Sequence, residues 1–213
     1  MIDYLVFDLD GTLIDTLTGI TEALNVTLNE LHFGLSYNKE TVKTFIGRGA
    51  KRLFDLGTKG DKNPADFALF LKNYEKCQYI SEPFDGVKET LKELNSNGIK
   101  IIVYSNKPNE ILQKLMSNKL GDIEFLYLQG QDKNYPPKPD VTLLKKILDK
   151  FNLNPKNGMY VGDSIVDIFT ANNIKMKSII LSYGYGNYDE MMAAKPDYYI
   201  DDFKEILKII KEN

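Results

Sequence analysis

The 213-residue sequence contains no tryptophan, one cysteine (Cys77) and one histidine (His32). A lone cysteine excludes an internal disulfide, and neither residue has neighbours at the spacing of a metal site. Cys77 therefore reads as a thiol of the core or surface in a reducing compartment, and His32 as structural or exposed. No apolar run approaches the length that crosses a bilayer, and Asp3, Asp8 and Asp10 stand where a signal peptide needs basic residues. The expected location is the cytoplasm. A basic stripe is also missing: 27 Lys and Arg against 30 Asp and Glu leave a net charge of -3, so neither nucleic acid nor a membrane is an expected partner. What is present is 43% hydrophobic residues, enough core for one large domain or for a domain carrying a smaller one.

Short apolar runs rich in β-branched and aromatic residues recur at YLVF (4–7), IIVY (101–104), FLYL (125–128), MYV (159–161), SIIL (178–181) and DYYI (197–200). They read as buried strands. Segments of helical period lie between most of them, as in Val87, Leu91 and Leu94, or Leu144, Ile147 and Leu148. This alternation predicts an α/β fold with a doubly wound parallel sheet. Residues 16–82 interrupt it with helical stripes (Leu17, Ile20, Leu24, Leu28 and Leu31; Val42, Phe45 and Ile46; Phe67, Phe70, Leu71 and Tyr74) and no convincing strand. They are expected to form an inserted helical cap, with 56–66 a loop inside it, while 1–15 and 83–213 form the sheet domain.

Open parallel sheets bind ligands beyond the carboxyl ends of their strands, so the residues just after each apolar run carry the most information. After 4–7 come Asp8 and Asp10, which point to the same side of an extended chain and raise the cost of each other's ionisation. A cation is expected nearby. After 101–104 comes Ser105-Asn106-Lys107-Pro108, and after 159–161 comes Gly162-Asp163-Ser164-Ile165-Val166-Asp167. Lys138 lies between Pro137 and Pro139. Taken singly, each has a plain structural explanation: an Asp-Gly turn, an N-cap at Ser105 or Asn106 with Pro108 in the first helical turn, a cap at Asp163 or Ser164, a solvated lysine. Together they bring carboxylates, a hydroxyl and a constrained lysine to one sheet edge, which argues for a reactive site.

These four segments, in this order, resemble the motifs of the haloacid dehalogenase superfamily of aspartate-nucleophile phosphohydrolases: DLDGTLID the first, SNKP the second, Lys138 the third and GDSIVD the fourth. The insertion after the first motif, together with GVKETLKELNSNGIKIIVYSNKP and SYGYGNYDE, is similar to the phosphoglycolate phosphatase-like branch. The resemblance implies a Rossmann-like core and Mg2+-dependent hydrolysis of a small phosphorylated metabolite through an aspartyl-phosphate on Asp8. It makes Asp10 the general acid and base, and Lys138 the cation that neutralises phosphate charge. The metal would be held by the carboxylates of Asp8 and Asp163 and the backbone carbonyl of Asp10, with Asp167 behind it. Ser105 and the backbone amides of Gly11 and Asn106 would bind phosphoryl oxygens, and Thr12 would orient Asp10. Asp15 and Thr16 are expected to cap the following helix.

Within FIGRGAKRLF (45–54), read as a cap loop, Arg48 lies between two glycines that let its guanidinium approach a ligand. It is the expected grip on the carboxylate of a small phosphorylated acid. A phosphosugar mutase of the β-phosphoglucomutase type shares cap and intermediate and is the nearest alternative. A non-catalytic receiver-like phosphoacceptor is weaker, since its aspartate follows the third strand and it lacks the insertion. Oligomeric state is left open, a monomer being one option. Lys175 stands where the family ends its helix with glycine, at a cost of about 1 kcal/mol if the left-handed turn is kept.

Overall fold

The computed structural model describes residues 2–60 and 63–213. After β1 (Tyr4–Phe7), the two-residue strand β2 (Ile14–Asp15) leads into α1 (Leu17–Glu30), α2 (Lys39–Lys43), α3 (Ala50–Gly57) and α4 (Pro64–Cys77), and β3 (Glu82–Pro83) pairs antiparallel with β2 on the return. Strand and helix then alternate through α5 (Val87–Ser96), β4 (Lys100–Pro108), α6 (Asn109–Leu120), β5 (Tyr127–Gln131), α7 (Thr142–Lys150), β6 (Gly158–Gly162), α8 (Ile165–Ile174), β7 (Lys177–Leu181), α9 (Tyr188–Ala193), β8 (Tyr198–Ile200) and α10 (Glu205–Lys211). The main sheet has six strands in the order β5-β4-β1-β6-β7-β8, and every pairing in it is parallel. Among the described residues no helix is long and apolar enough to cross a membrane.

The alternation of side chains along β1 explains both layers. Leu5 and Phe7 join Ile101, Val103, Met159 and Val161 under α5, α6 and α10, whereas Tyr4 and Val6 join Ile102, Tyr104 and Tyr160 under α7 and α8. Each such aliphatic side chain contributes roughly 1.5–3 kcal/mol by leaving water. Phe7 stands level with Val103 and Val161, so the residues that follow β1, β4 and β6 emerge side by side. The sheet reverses its strand order around β1, and the crevice opens there.

Two strands differ in extent from expectation. The strand expected at 125–128 begins at Tyr127 and runs on to Gln131, because it lies at the sheet edge, where pairing with β4 at Ile102–Tyr127 sets the start. Phe125 and Leu126 pack against opposite cores before the pairing begins. β4 carries on through Ser105, Asn106 and Lys107 to Pro108, with a register irregularity after Tyr104, and α6 starts only at Asn109. Ser105 and Asn106 are therefore strand residues and cap nothing. Lys175 does end α8 in the left-handed region, at φ 61° and ψ 41°, without a glycine.

Helices α1 to α4 close around their own apolar cluster, in which Phe54 and Tyr74 lie 5.5 and 5.6 Å from the Phe70 ring, and Ile111 of α6 joins it from the sheet side. Cys77 is buried in it. The segment 45–54 is only partly a loop: Phe45 and Ile46 lie in a turn beyond α2, and from Ala50 the chain is helical as α3. His32 is exposed just past α1. Of the expected loop 56–66, residues 56–57 belong to α3 and 64–66 to α4, while positions 61 and 62 lie outside the described residues.

Candidate active site

Asp8 leaves β1 with its backbone N–H donating to the Val161 carbonyl, and its carboxylate is buried at the strand ends. Asp163 and Asp167 arrive from β6 and the first turn of α8. One oxygen from each of Asp8, Asp163 and Asp167 lies within 4.8 Å of the others, and all three residues are buried. So much negative charge in so little volume resists full ionisation. Burial pushes the Asp8 carboxyl up to about 6, Lys138 opposing the push and Asp167 and Asp10 adding to it. Burial, then the charges of Asp167 and Asp8, raise Asp163 well above the usual carboxylate range.

Lys138 is the cation already present. Its Nζ lies 2.9 Å from Asp8 Oδ1 and donates to Asp167 Oδ1 at 2.7 Å and to the Tyr160 hydroxyl at 3.1 Å. Burial works against its charge, but Asp167 and Asp8 hold the ammonium protonated, well above its ordinary range. The Lys138–Pro139 peptide is cis. Asn106 grips the Lys138 backbone from both sides, accepting from its N–H at 2.7 Å and donating to its carbonyl at 3.2 Å. The same Asn106 amide donates to the Gly47 carbonyl at 2.9 Å, which ties the turn before Arg48 to the strand end.

The carboxylates are individually oriented. Asp163 accepts from Thr12 Oγ1 at 2.7 Å through one oxygen and from the Tyr185 N–H at 2.7 Å through the other. Thr12 thus orients Asp163, where the expectation was Asp10: the turn after Asp10 aims its hydroxyl across to β6. Asp167 accepts through Oδ2 from Ser164 N–H at 3.1 Å, Ser164 Oγ at 2.7 Å and Asp163 N–H at 3.2 Å, so it also closes the N-terminus of α8. Gly11 has φ 84°, and a Cβ there would stand 2.4 Å from Asp163 Oδ2, so the turn admits only glycine.

These groups test whether a metal fits. Asp8 Oδ1, though close to Lys138, accepts no well-directed hydrogen bond, and the ligand atoms that Asp163 and Asp167 bring near Asp8 are carboxylate oxygens. A hard divalent cation suits that set, and its charge would let Asp8 and Asp163 ionise together. Asp167 is the least free of the three: both its oxygens are engaged, as are those of Asp163, but it accepts four hydrogen bonds, one of them from the Lys138 ammonium.

Ser105 is buried beside them, its Oγ accepting from the Lys107 N–H at 3.3 Å. Asp10 lines, with Asp8 and Asp163, a cleft of about 680 Å³ that Arg48, Lys43 and Arg52 line from the helical side, so Arg48 shares the cleft but is exposed. Two residues that sequence reasoning passed over also belong here. Lys107, inside SNKP, ion-pairs with Asp10 at 2.8 Å. Tyr185, inside SYGYG, accepts through its hydroxyl from the N–H groups of Thr16 and Leu17 at 2.7 and 3.0 Å and donates to Asp15 Oδ1 at 2.6 Å. Tyr185 therefore takes the capping role expected of Thr16, whose own hydroxyl is buried without a hydrogen-bond partner; Asp15 helps by accepting from the Leu17 N–H at 3.2 Å. Strand alternation beyond Ser105 was the signal available for Lys107. Tyr185 offered none.

Residues 5–181 match the family model described as Haloacid dehalogenase-like hydrolase. The chain is 30% identical to the phosphoglycolate phosphatase of Colwellia psychrerythraea over 98% of its own length and 97% of that protein. It is also 30% identical to phosphoglycolate phosphatase 1 of Pseudomonas aeruginosa, over 94% of this chain and 77% of that one. Among solved structures, a predicted phosphoglycolate phosphatase from Haemophilus somnus superposes with a TM-score of 0.86 at 30% identity, covering 98% of this chain and 97% of the other.

Proposed function

The chain belongs to the haloacid dehalogenase-like hydrolases, and from that premise we propose that it is a phosphoric monoester hydrolase of the cytoplasm, acting on a small phosphorylated acid of the phosphoglycolate kind. The observation that carries the reading is the meeting of Asp8, Asp163 and Asp167 within 4.8 Å, with the Lys138 ammonium between Asp8 and Asp167. An ionised carboxylate and a phosphate repel one another, and only a site that supplies positive charge overcomes this. Mg2+, held by Asp8, Asp163 and the Asp10 carbonyl, would neutralise the charge that Lys138 leaves uncompensated.

Asp8 attacks phosphorus in line, the ester P–O bond breaks, and Asp10 delivers a proton to the departing oxygen. The phosphoryl group is then carried on Asp8 as a mixed anhydride. Asp10, now ionised, takes a proton from water as the water oxygen attacks phosphorus, which frees phosphate and restores Asp8. Ser105 and the amide of Asn106 donate to the phosphoryl oxygens, whereas the Gly11 amide, expected beside them, already donates to the Ile14 carbonyl at 3.0 Å; Thr12 and Asp167 hold Asp163 and Lys138 in place. Helices α1 to α4 act as the cap, and Arg48, from its place in the cleft, binds the substrate carboxylate. Phosphate release from 2-phosphoglycolate by the purified chain with Mg2+ tests the proposal. Turnover that stops with EDTA and returns with Mg2+ supports it; no release from any of a panel of phosphorylated metabolites ends it.

A further inference from the structure

Lys107 has no part in the chemistry above, yet its side chain is wholly excluded from solvent. Its ammonium donates to Asp10 Oδ1 at 2.8 Å and to the Tyr74 hydroxyl at 2.7 Å, and it lies 4.4 Å from the centre of the Tyr74 ring. Asp10 comes from the loop after β1, Lys107 from β4 and Tyr74 from α4. A single buried cation thus joins the proposed acid–base residue to a helix that the sheet does not contain. Burying an ammonium is costly unless it is paired, and here the pairing is spent on one oxygen of one carboxylate and one hydroxyl.

We propose that Lys107, itself held by Tyr74, is a positioning residue for Asp10 that decides which of its oxygens exchanges the proton. The inference rests on the phosphatase reading above. An ammonium has only donors to offer, so Asp10 Oδ1 accepts from Lys107 whether Asp10 is ionised or not. The proton is thereby confined to Oδ2. In the first step the Oδ2–H bond breaks, its proton passes to the ester oxygen, and that oxygen takes the electron pair of the breaking P–O bond. In the second, Oδ2 receives a proton from the water whose oxygen bonds to phosphorus. Lys107 keeps its own protons throughout. Because Tyr74 fixes Lys107 from α4, Asp10 is set for proton transfer only while that helix is seated against β4. A lysine that merely fills space between helix and sheet would have no such effect on the chemistry.

The two roles separate by leaving group. An alkyl phosphate such as 2-phosphoglycolate needs a proton on its departing oxygen, whereas 4-nitrophenolate leaves without one. Lys107→Met should lower kcat/KM for 2-phosphoglycolate on the order of ten- to a hundredfold, and for 4-nitrophenyl phosphate by less than about threefold. Tyr74→Phe, which keeps the ring beneath the ammonium and removes only the hydroxyl, should show the same selectivity with a loss of about three- to tenfold. Adding Lys107→Met to Asp10→Asn should cost little more than Asp10→Asn alone. Equal losses on both substrates, or no loss, would overturn the inference, and Tyr74→Phe decides by the same criterion if Lys107→Met does not fold. A wild-type chain inactive on both substrates would bring down the phosphatase reading itself; an active one with unselective variants brings down only the role of Lys107.

Discussion

Two surfaces face each other across the cleft, and they are built in opposite ways. On the sheet side Asp8, Ser105, Lys138, Asp163 and Asp167 are all buried, and Lys138, Asp163 and Asp167 are each held by two or more partners. On the helical side Arg48 and Arg52 are exposed and Lys43 half-buried, and Gly47 and Gly49 flank Arg48 at φ 101° and 87°. The first surface is assembled on folding, so its electrostatics cost no reorganisation when a ligand arrives. The second can still adjust its shape. Under the proposed function this contrast is a division of labour, in which the sheet side carries the reaction and the helical side selects what is brought to it.

That contrast can be broken most severely at its centre. Asp8→Asn replaces the proposed nucleophile by an amide of equal size, so turnover should fall on the order of 10⁴-fold or more while circular dichroism stays unchanged. Undiminished phosphate release by this variant would remove Asp8 from the reaction. Thr12→Val sharpens the claim that the buried side works through fixed orientation: losing the hydroxyl that Asp163 accepts should weaken Mg2+ binding by about ten- to a hundredfold, read by calorimetry and by the Mg2+ dependence of rate. Wild-type Mg2+ affinity there would mean that Asp163 needs no such support.

An effect of similar size, confined to one class of substrate, is expected across the cleft. Arg48→Ala should lower kcat/KM on the order of ten- to a hundredfold for a carboxylate-bearing phosphate and far less for a neutral aryl phosphate. Equal losses on the two would place Arg48 in the general scaffold and erase the proposed division. The smallest effect is expected behind the sheet side. Lys175→Gly relieves a left-handed residue at the end of α8 and should stabilise the protein by up to about 1 kcal/mol in urea unfolding, with activity unchanged. Lower stability would show that the Lys175 side chain contributes more than its strained backbone costs.

Much of the sheet side was legible in advance because it depends on local pattern. Runs such as YLVF and SIIL are apolar on both faces, as strands covered by helices on both sides must be, and the residues just after them had to fall at the sheet edge. Legibility fell where local pattern gives out. Nothing in FLYL says that an edge strand pairs only from Tyr127, since half-buried positions tolerate either choice. Pro108 looked like the start of a helix and instead closes a strand. β2 and β3, of two residues each, are too short to show any alternation. Thr12 was assigned to its sequence neighbour Asp10 and bonds Asp163, 151 positions away.

The sequence by itself determined that carboxylates, a hydroxyl and a lysine reach one edge of a parallel sheet, because strand period and the order of elements settle which residues follow each strand. Only the tertiary structure decided which oxygen each donor takes: that Lys107 meets Asp10 and Tyr74, that Asn106 clasps Lys138, and that Tyr185 begins α1. The reason is physical. A hydrogen bond depends on about 3 Å of separation and on direction, and spacing along a chain specifies neither between elements that meet only when the core has packed.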